Sequence, residues 1–353
     1  MKKIKFYQFI CLLLVIIIIS SCDKENSGKL KVNFSNPQVL LMKKNKTKSS
    51  TKSETLFQID DKGKITVVVE GVIVHHVYPF SYGAVIYTNK GNYIIYFDNT
   101  SWKLPDDFDH GGGKVFIGEN EEGDLIFGDV SIIRKGTQTI SKLQTALDGP
   151  SVLELSGNFA IISGRTAGEW IWQIFNTVDT KRYRALSNNV LALSKEKALS
   201  GGQLWDMTTG IWYDAVAGYT GDNGIYLKNG AAILGCMSGS QYYTGVGIIY
   251  PSGDLEILCN DEFTYGGGRS FFNTGDYFIV KEFDKISVVK RGNLSKTEIL
   301  AEYNVLAIAV SLNKVYFISE DVYGVKTVGF FSLDDNTVTI FETEDEYEDI
   351  FSI

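Results

Sequence analysis

The residues able to do acid–base, metal or redox chemistry are few and poorly grouped. Histidine occurs only at His75, His76 and His110. Neighbouring residues of a strand point to opposite faces, so His75 and His76 do not form a paired ligand set by themselves. One is expected to pack and the other to be solvated. Asp106, Asp107, Asp109 and His110 bring together donors that a divalent cation accepts. They lack the ordered spacing and turn glycine of a calcium loop, and the reading is a solvated acidic loop, with no metal and no cofactor. No GxSxG, HExxH, CxxC or Walker pattern is present, which removes those local devices for nucleophilic, zinc or phosphate chemistry. A carboxylate pair for glycoside hydrolysis stays open, because its members are matched in space rather than in sequence and 39 acidic residues follow Thr55. The run Glu342, Glu344, Asp345, Glu346, Glu348 and Asp349 reads as a solubilising tail.

Cysteine occurs at positions 11, 22, 236 and 259. Cys22 closes a segment in which Lys2, Lys3 and Lys5 precede an apolar run from Ile10 to Ile19, the form of a secretory signal. The run is about half of the ~20 residues that a membrane-spanning helix needs. The junction Ile19-Ser20-Ser21-Cys22 resembles the bacterial lipobox. That resemblance implies cleavage before Cys22, acylation of its thiol, and a protein held to a membrane by its N-terminal lipid. The implied address is the cell envelope, with the outer membrane or cell surface favoured over the inner membrane.

Without residues 1–21 the formal charge is −11, made of +5 over residues 23–54 and −16 from Thr55 onward. Residues 22–54 therefore read as the lipidated cysteine and a flexible basic tether, and residues 55–353 as an acidic body. Within the tether the apolar run Val39, Leu40, Leu41 and Met42 is the part expected to dock on the body. Nucleic acid is excluded as a partner of the body, since phosphate contacts need the opposite charge.

From Leu56 onward, short β-rich runs alternate with polar turns, as in AVIYT/NKG/NYIIYF, VLEL/SGN/FAIIS and VGFFS/LDDN/TVTIF. Gly, Asn and Asp supply the turn conformations, and β-branched and aromatic residues supply the strands. The class is all-β. Strands grouped in fours begin near Val72, Lys114, Ser151, Val190, Gly224, Arg269 and Asn304, at or slightly below the period of a propeller blade. The expected fold is a β-propeller of about seven four-stranded blades, the alternatives being six or eight blades or a large β-sandwich. The Gly triplets 111–113 and 266–268 are expected at crowded entries to innermost strands rather than as phosphate cradles, since no helix follows them. The stretch Leu204 to Trp212 resembles the Asp-x-x-Thr-Gly turn of quinoprotein-like blades. It covers one hairpin, and only the turn geometry is implied.

In such a fold the turns joining strands one to two and three to four share one face and are short and polar, for example 119–124, 156–158, 251–254 and 333–336. The opposite face gathers the longer connections, including HHVYPFSY, PDDFDHGGG, GRTAGEW, AGYTGDN, MSGSQYYTG, DEFTYGGG and EDVYGVK. Aromatic residues flanked by acids and amides on loops over a rigid scaffold suit a protein or carbohydrate surface. The ligand-binding candidates are Asp109, His110, Arg165, Trp170, Tyr219, Tyr242, Tyr243 and Tyr265, and no residue is given a catalytic role. The functional expectation is an envelope binding module for a protein or glycan partner, leaning away from an enzyme. The alternatives are a propeller-fold glycan-active hydrolase or lyase and a structural envelope component. Cys236 and Cys259, on strands separated by a third, are expected to remain free thiols, since two strand spacings exceed the reach of a disulfide.

Overall fold

Alternating apolar residues and tight turns produce antiparallel sheet throughout. The computed structural model describes residues 30–43, 56–108, 113–185, 191–192, 196–200, 203–213, 219–226, 232–238, 242–250, 254–261, 263–264, 270–282, 285–341, 343 and 346–353. Every regular element among them is a strand. They form eight antiparallel sheets, seven of four strands and one of five. The chain is an all-β propeller.

Seven sheets are continuous in sequence. Their first strands are Val74–Phe80 in sheet II, Phe116–Glu119 in III, Asp148–Ser156 in IV, Leu191–Ala192 in V, Tyr219–Tyr226 in VI, Ser270–Asn273 in VII and Val305–Ser311 in VIII. These positions lie close to the unit starts read from spacing. Sheet I is composite. Its first strand is Tyr347–Ser352, and its other three are Pro37–Lys43, Leu56–Asp60 and Ile65–Val69. Spacing does not reveal it, because its strands come from both ends of the chain.

Sheet I also corrects the tether. Residues 37–43 are a strand with Leu40 paired to Phe351 and Leu41 to Ile350, and Val39, Leu40 and Leu41 are fully buried. Residues 30–36 are packed as well: Val32 bridges Val69, and Val32 and Phe34 are buried. The docking expected of the Val39–Met42 run thus extends to insertion into the ring.

First strands of successive sheets lie side by side, as in sheets II and III, III and IV, and VIII and I, which puts them innermost. Apolar clusters weld neighbouring sheets together. Leu40, Leu56, Val77 and Ile86 join I to II. Val85, Ile94, Phe116 and Phe127 join II to III. Ile126, Ile132, Ala160 and Phe175 join III to IV. Ile279, Val288, Ile308 and Phe317 join VII to VIII. Each such side chain, buried fully, contributes about 1.5–3 kcal/mol, so the ring is held by its inter-sheet seams.

The first and second strands slip by one register step at Val74/His76, Phe116/Gly118, Val152/Glu154 and Val305/Ala307. A bulge twists the strand and re-aims a side chain, here on the edge bordering the axis. At sheet II it overturns the expectation for the histidines: His75 is the bulged residue, and His75 and His76 are both exposed. Strict alternation fails where the ladder slips.

The Asp-x-x-Thr-Gly turn has the expected geometry. Asp206 Oδ1 accepts the backbone N–H groups of Thr208 and Thr209 at 2.8 and 2.9 Å, which holds its carboxyl below the ordinary range. Of the first Gly triplet only Gly113 lies among the described residues. A Cβ on Gly113 would meet nothing within 4 Å, whereas one on Gly128 would lie 2.8 Å from the Gly113 carbonyl oxygen. The second triplet lies outside the described residues.

Candidate ligand-binding cleft

A cavity lies between sheets II and III, on the face of the short turns. It has a volume of about 410 Å³. Tyr82 comes from the turn between the first two strands of sheet II. Phe97, Asp98 and Thr100 come from the turn between its last two, after Tyr96. Lys135, Gly136, Thr137 and Gln138 come from the corresponding last turn of sheet III. Three turns of two sheets therefore converge on one hollow.

Its wall is aromatic. The rings of Tyr82 and Tyr96 are parallel within 5°, with centroids 6.0 Å apart. Phe80 supports Tyr82 edge-on at 4.6 Å. Tyr82, Tyr96 and Phe97 are each half-buried, while Asp98, Thr100, Lys135 and Thr137 are exposed at the rim. Ring faces beside a polar rim suit a ligand with one apolar face and many hydroxyl groups.

The wall is also stiff. The Tyr82 hydroxyl donates to the Gly123 carbonyl of sheet III at 2.6 Å, and Lys135 Nζ lies 5.1 Å from the Tyr82 centroid. Gly123 is needed there: its φ is +84°, and a Cβ would meet Lys135 Cδ at 2.7 Å. Glu119 of sheet III accepts the Ser81 N–H at 2.6 Å and also the Ser81 hydroxyl. Burial, followed by the charges and dipoles of Glu119, Tyr96 and Asp124, pushes the Tyr82 phenol far above its ordinary range, so it remains a donor. Burial and then Asp98 raise the Tyr96 phenol in the same direction.

The outer side of this wall is braced by the N-terminal segment. Phe34 packs edge-on against Phe97 with centroids 5.0 Å apart, and its N–H donates to Asn99 Oδ1. Asn99 Nδ2 donates back to the Phe34 carbonyl at 3.3 Å. Leu30 N–H donates to Ser101 Oγ at 2.9 Å.

The residues expected from sequence do not assemble with this cleft. Cys22, Asp109, His110 and Tyr265 lie outside the described residues. Arg165 and Trp170 do meet, with the guanidinium 5.0 Å from the indole ring. They flank the middle hairpin of sheet IV, paired across the strands, and Trp170 is 56% exposed. Tyr219, Tyr242 and Tyr243 are strand residues of sheet VI rather than loop residues. Tyr219 pairs with Cys236, and Tyr242 and Tyr243 pair with Thr264 and Phe263 of an added strand. HHVYPF likewise forms the first strand of sheet II, and its final Ser81-Tyr82 is a turn on the short-turn face. Tyr82 therefore lies on the face opposite to the one that the grouping of the connections predicts for it. The remaining signal was the aromatic run Tyr93, Tyr96, Phe97 beside a two-residue turn.

Comparison with protein-family models and with curated proteins gives no match. Among solved structures, the chain is similar to the dihydro-heme d1 dehydrogenase NirN in complex with DHE, at 10% identity and a TM-score of 0.54, covering 91% of this chain and 76% of that one. It is also similar to puromycin hydrolase, at 10% identity and a TM-score of 0.46, covering 91% of this chain and 55% of that one. A third is the β-propeller domain of the Trilobed protease from Pyrococcus furiosus, at 9% identity and a TM-score of 0.43, covering 78% and 99%. Likeness at this identity shows the fold alone.

Proposed function

We propose that the protein is a lipid-anchored envelope module that binds a glycan in the cleft between sheets II and III. The observation that carries the reading is the parallel, half-buried Tyr82–Tyr96 wall facing a rim of hydroxyl, amide and charged groups. Flat, β-1,4-linked hexopyranoses present the apolar ring face such a wall stacks on, and their hydroxyls suit Asp98, Thr100 and Gln138. The −16 charge from Thr55 onward repels a polyanion, so a neutral glycan is favoured over an acidic one and over nucleic acid.

A hydrolase needs two carboxyl groups, one kept protonated to act as acid. Asp98 is the one carboxylate among the described residues lining the cleft. Its hydrogen bonds from the Thr100 side chain and N–H, at 2.6 and 2.9 Å, hold it low and ionised. Binding is supported over cleavage.

The test is titration of the soluble protein, residues 23–353, with cellotetraose and chitotetraose. Binding that Tyr82→Ala weakens about tenfold, with a cooperative melt retained, supports the reading. No binding by either sugar, or binding indifferent to Tyr82, overturns it, and capture of a peptide ligand instead would replace glycan by protein. For the anchor, Cys22→Ser is expected to move the protein from the membrane to the soluble fraction. Retention of a processed Cys22→Ser protein in membranes would reject the lipoprotein assignment.

A further inference from the structure

A second hollow opens on the same face, between sheets VII and VIII. It has a volume of about 290 Å³, with Val288, Ile299, Phe331 and Leu333 as its apolar floor and Asn293, Thr297, Asp334 and Asn336 on its rim. The floor residues Val288, Ile299, Phe331 and Leu333 are buried, and all four rim residues are exposed.

The placement of its tyrosine repeats that of the first cleft. Tyr277 opens the second strand of its sheet, as Tyr82 immediately precedes one. Its hydroxyl donates across the seam to the Leu333 carbonyl of the next sheet at 3.1 Å, as Tyr82 does to Gly123. Lys290 Nζ stands 6.0 Å from the Tyr277 centroid, reaching it from the adjacent strand of the same sheet, where Lys135 reaches Tyr82 from the neighbouring sheet. The rest of the wall comes from the last turns of two neighbouring sheets, with Asn293 from one and Leu333, Asp334 and Asn336 from the next, and from the strands that flank those turns. A repeat protein that builds one ligand hollow from its inter-sheet seam can build the same hollow at another seam.

We infer that this groove is a second site for the same class of ligand, a neutral hexopyranose chain, so that the propeller holds one polymer at two points of one face. The inference rests on the glycan reading of the first cleft. The second site has one tyrosine ring where the first has a stacked pair, so it binds more weakly. Two linked sites raise the apparent affinity for a chain long enough to span them beyond that of either alone.

The experiment is calorimetric titration of residues 23–353 with cellotetraose and chitotetraose, for wild type, Tyr82→Ala, Tyr277→Ala and Thr297→Trp. The last variant fills the groove from an exposed position, so it tests occupancy even if Tyr277→Ala unfolds. Expected are two sites in wild type and one in each variant, with a loss of affinity for a long cello- or chito-polymer of at least tenfold in each. One site in wild type, lost in Tyr82→Ala and unchanged in Thr297→Trp, overturns the second site and leaves the first standing. No binding at all overturns both readings together.

Discussion

Arg291 is held in a two-pronged pair: its Nε and Nη2 donate to the two carboxylate oxygens of Glu256 at 2.7 and 2.6 Å. Nη2 also donates to the Tyr250 hydroxyl at 2.7 Å. The pair ties sheet VII to sheet VI. It pulls the Glu256 carboxyl down to about 2. A carboxyl depressed on folding stabilises the fold above its ordinary value near 4.5, and that contribution is lost as pH falls from there through about 2. Both side chains are about a third exposed, so solvent reduces the contribution to about 1 kcal/mol. Melting temperatures of wild type and Glu256→Gln should differ by a few degrees at pH 6 and converge near pH 2; a constant gap would show that the pair does not couple to folding. Cys259 offers a second residue-scale test. It is a buried free thiol, and the third strand, where Gly245 pairs with Cys236 and Val246 with Cys259, separates the two cysteines. Thiol titration of non-reduced, unfolded residues 23–353 should find two thiols, and finding none would contradict this register. That separation was legible in sequence because a local strand count sufficed. The Arg291–Glu256 pair was not, because it joins residues 35 positions apart across a seam.

At the scale of elements, turns were the most legible feature, since a turn is dictated by residues within it. Asp206 to Gly210 shows why: the aspartate caps its own turn and Gly210 takes φ +74°. Bulges were not legible, because they depend on the partner strand, and His75 was misread for that reason. The N-terminal segment was misread more fully. Its lysines and polar residues suggested solvation, but what decides its fate is Leu30, Val32 and Phe34 docking along Val69, Ser101 and Phe97. This placement makes residues 30–36 part of the cleft's support. Phe34→Ala removes a ring that touches no ligand yet holds Phe97, and should weaken tetrasaccharide binding at the first cleft several-fold without changing the number of sites. An unchanged affinity would show that the 97–101 turn keeps its shape unaided. The opposite face retains its own exposed features, Trp170 and the Val322–Tyr323 hairpin tip, which the cleft does not involve.

For the whole molecule, the ring is closed by its two ends, and closure is the property that local reading was least able to supply. A period of about forty residues can be counted along the chain, but a sheet whose first strand is Tyr347–Ser352 and whose second is Pro37–Lys43 has no contiguous unit to count. The acidic run that read as a tail leads into this strand, and its final residues are structural. Tyr347 and Ile350 are 1% and 6% exposed and pack with Leu41, Phe57 and Ile318 across the seam of sheets VIII and I. Tyr347 meets Phe57 edge-on at 5.4 Å. Losing two such side chains costs on the order of 5 kcal/mol, and it also uncovers the edge of Pro37–Lys43, a ready template for pairing with another chain. Protein ending at Glu346 should therefore melt well below full-length protein and associate as temperature rises, followed by circular dichroism and light scattering. A synthetic peptide of residues 346–353 supplied in excess should restore part of the melting temperature by occupying the vacated edge. Ile350→Asp should reproduce the defect in full-length protein without removing a single backbone hydrogen bond. If truncated and intact proteins melted alike, the C-terminal strand would be an ornament on a ring already closed by its other seams.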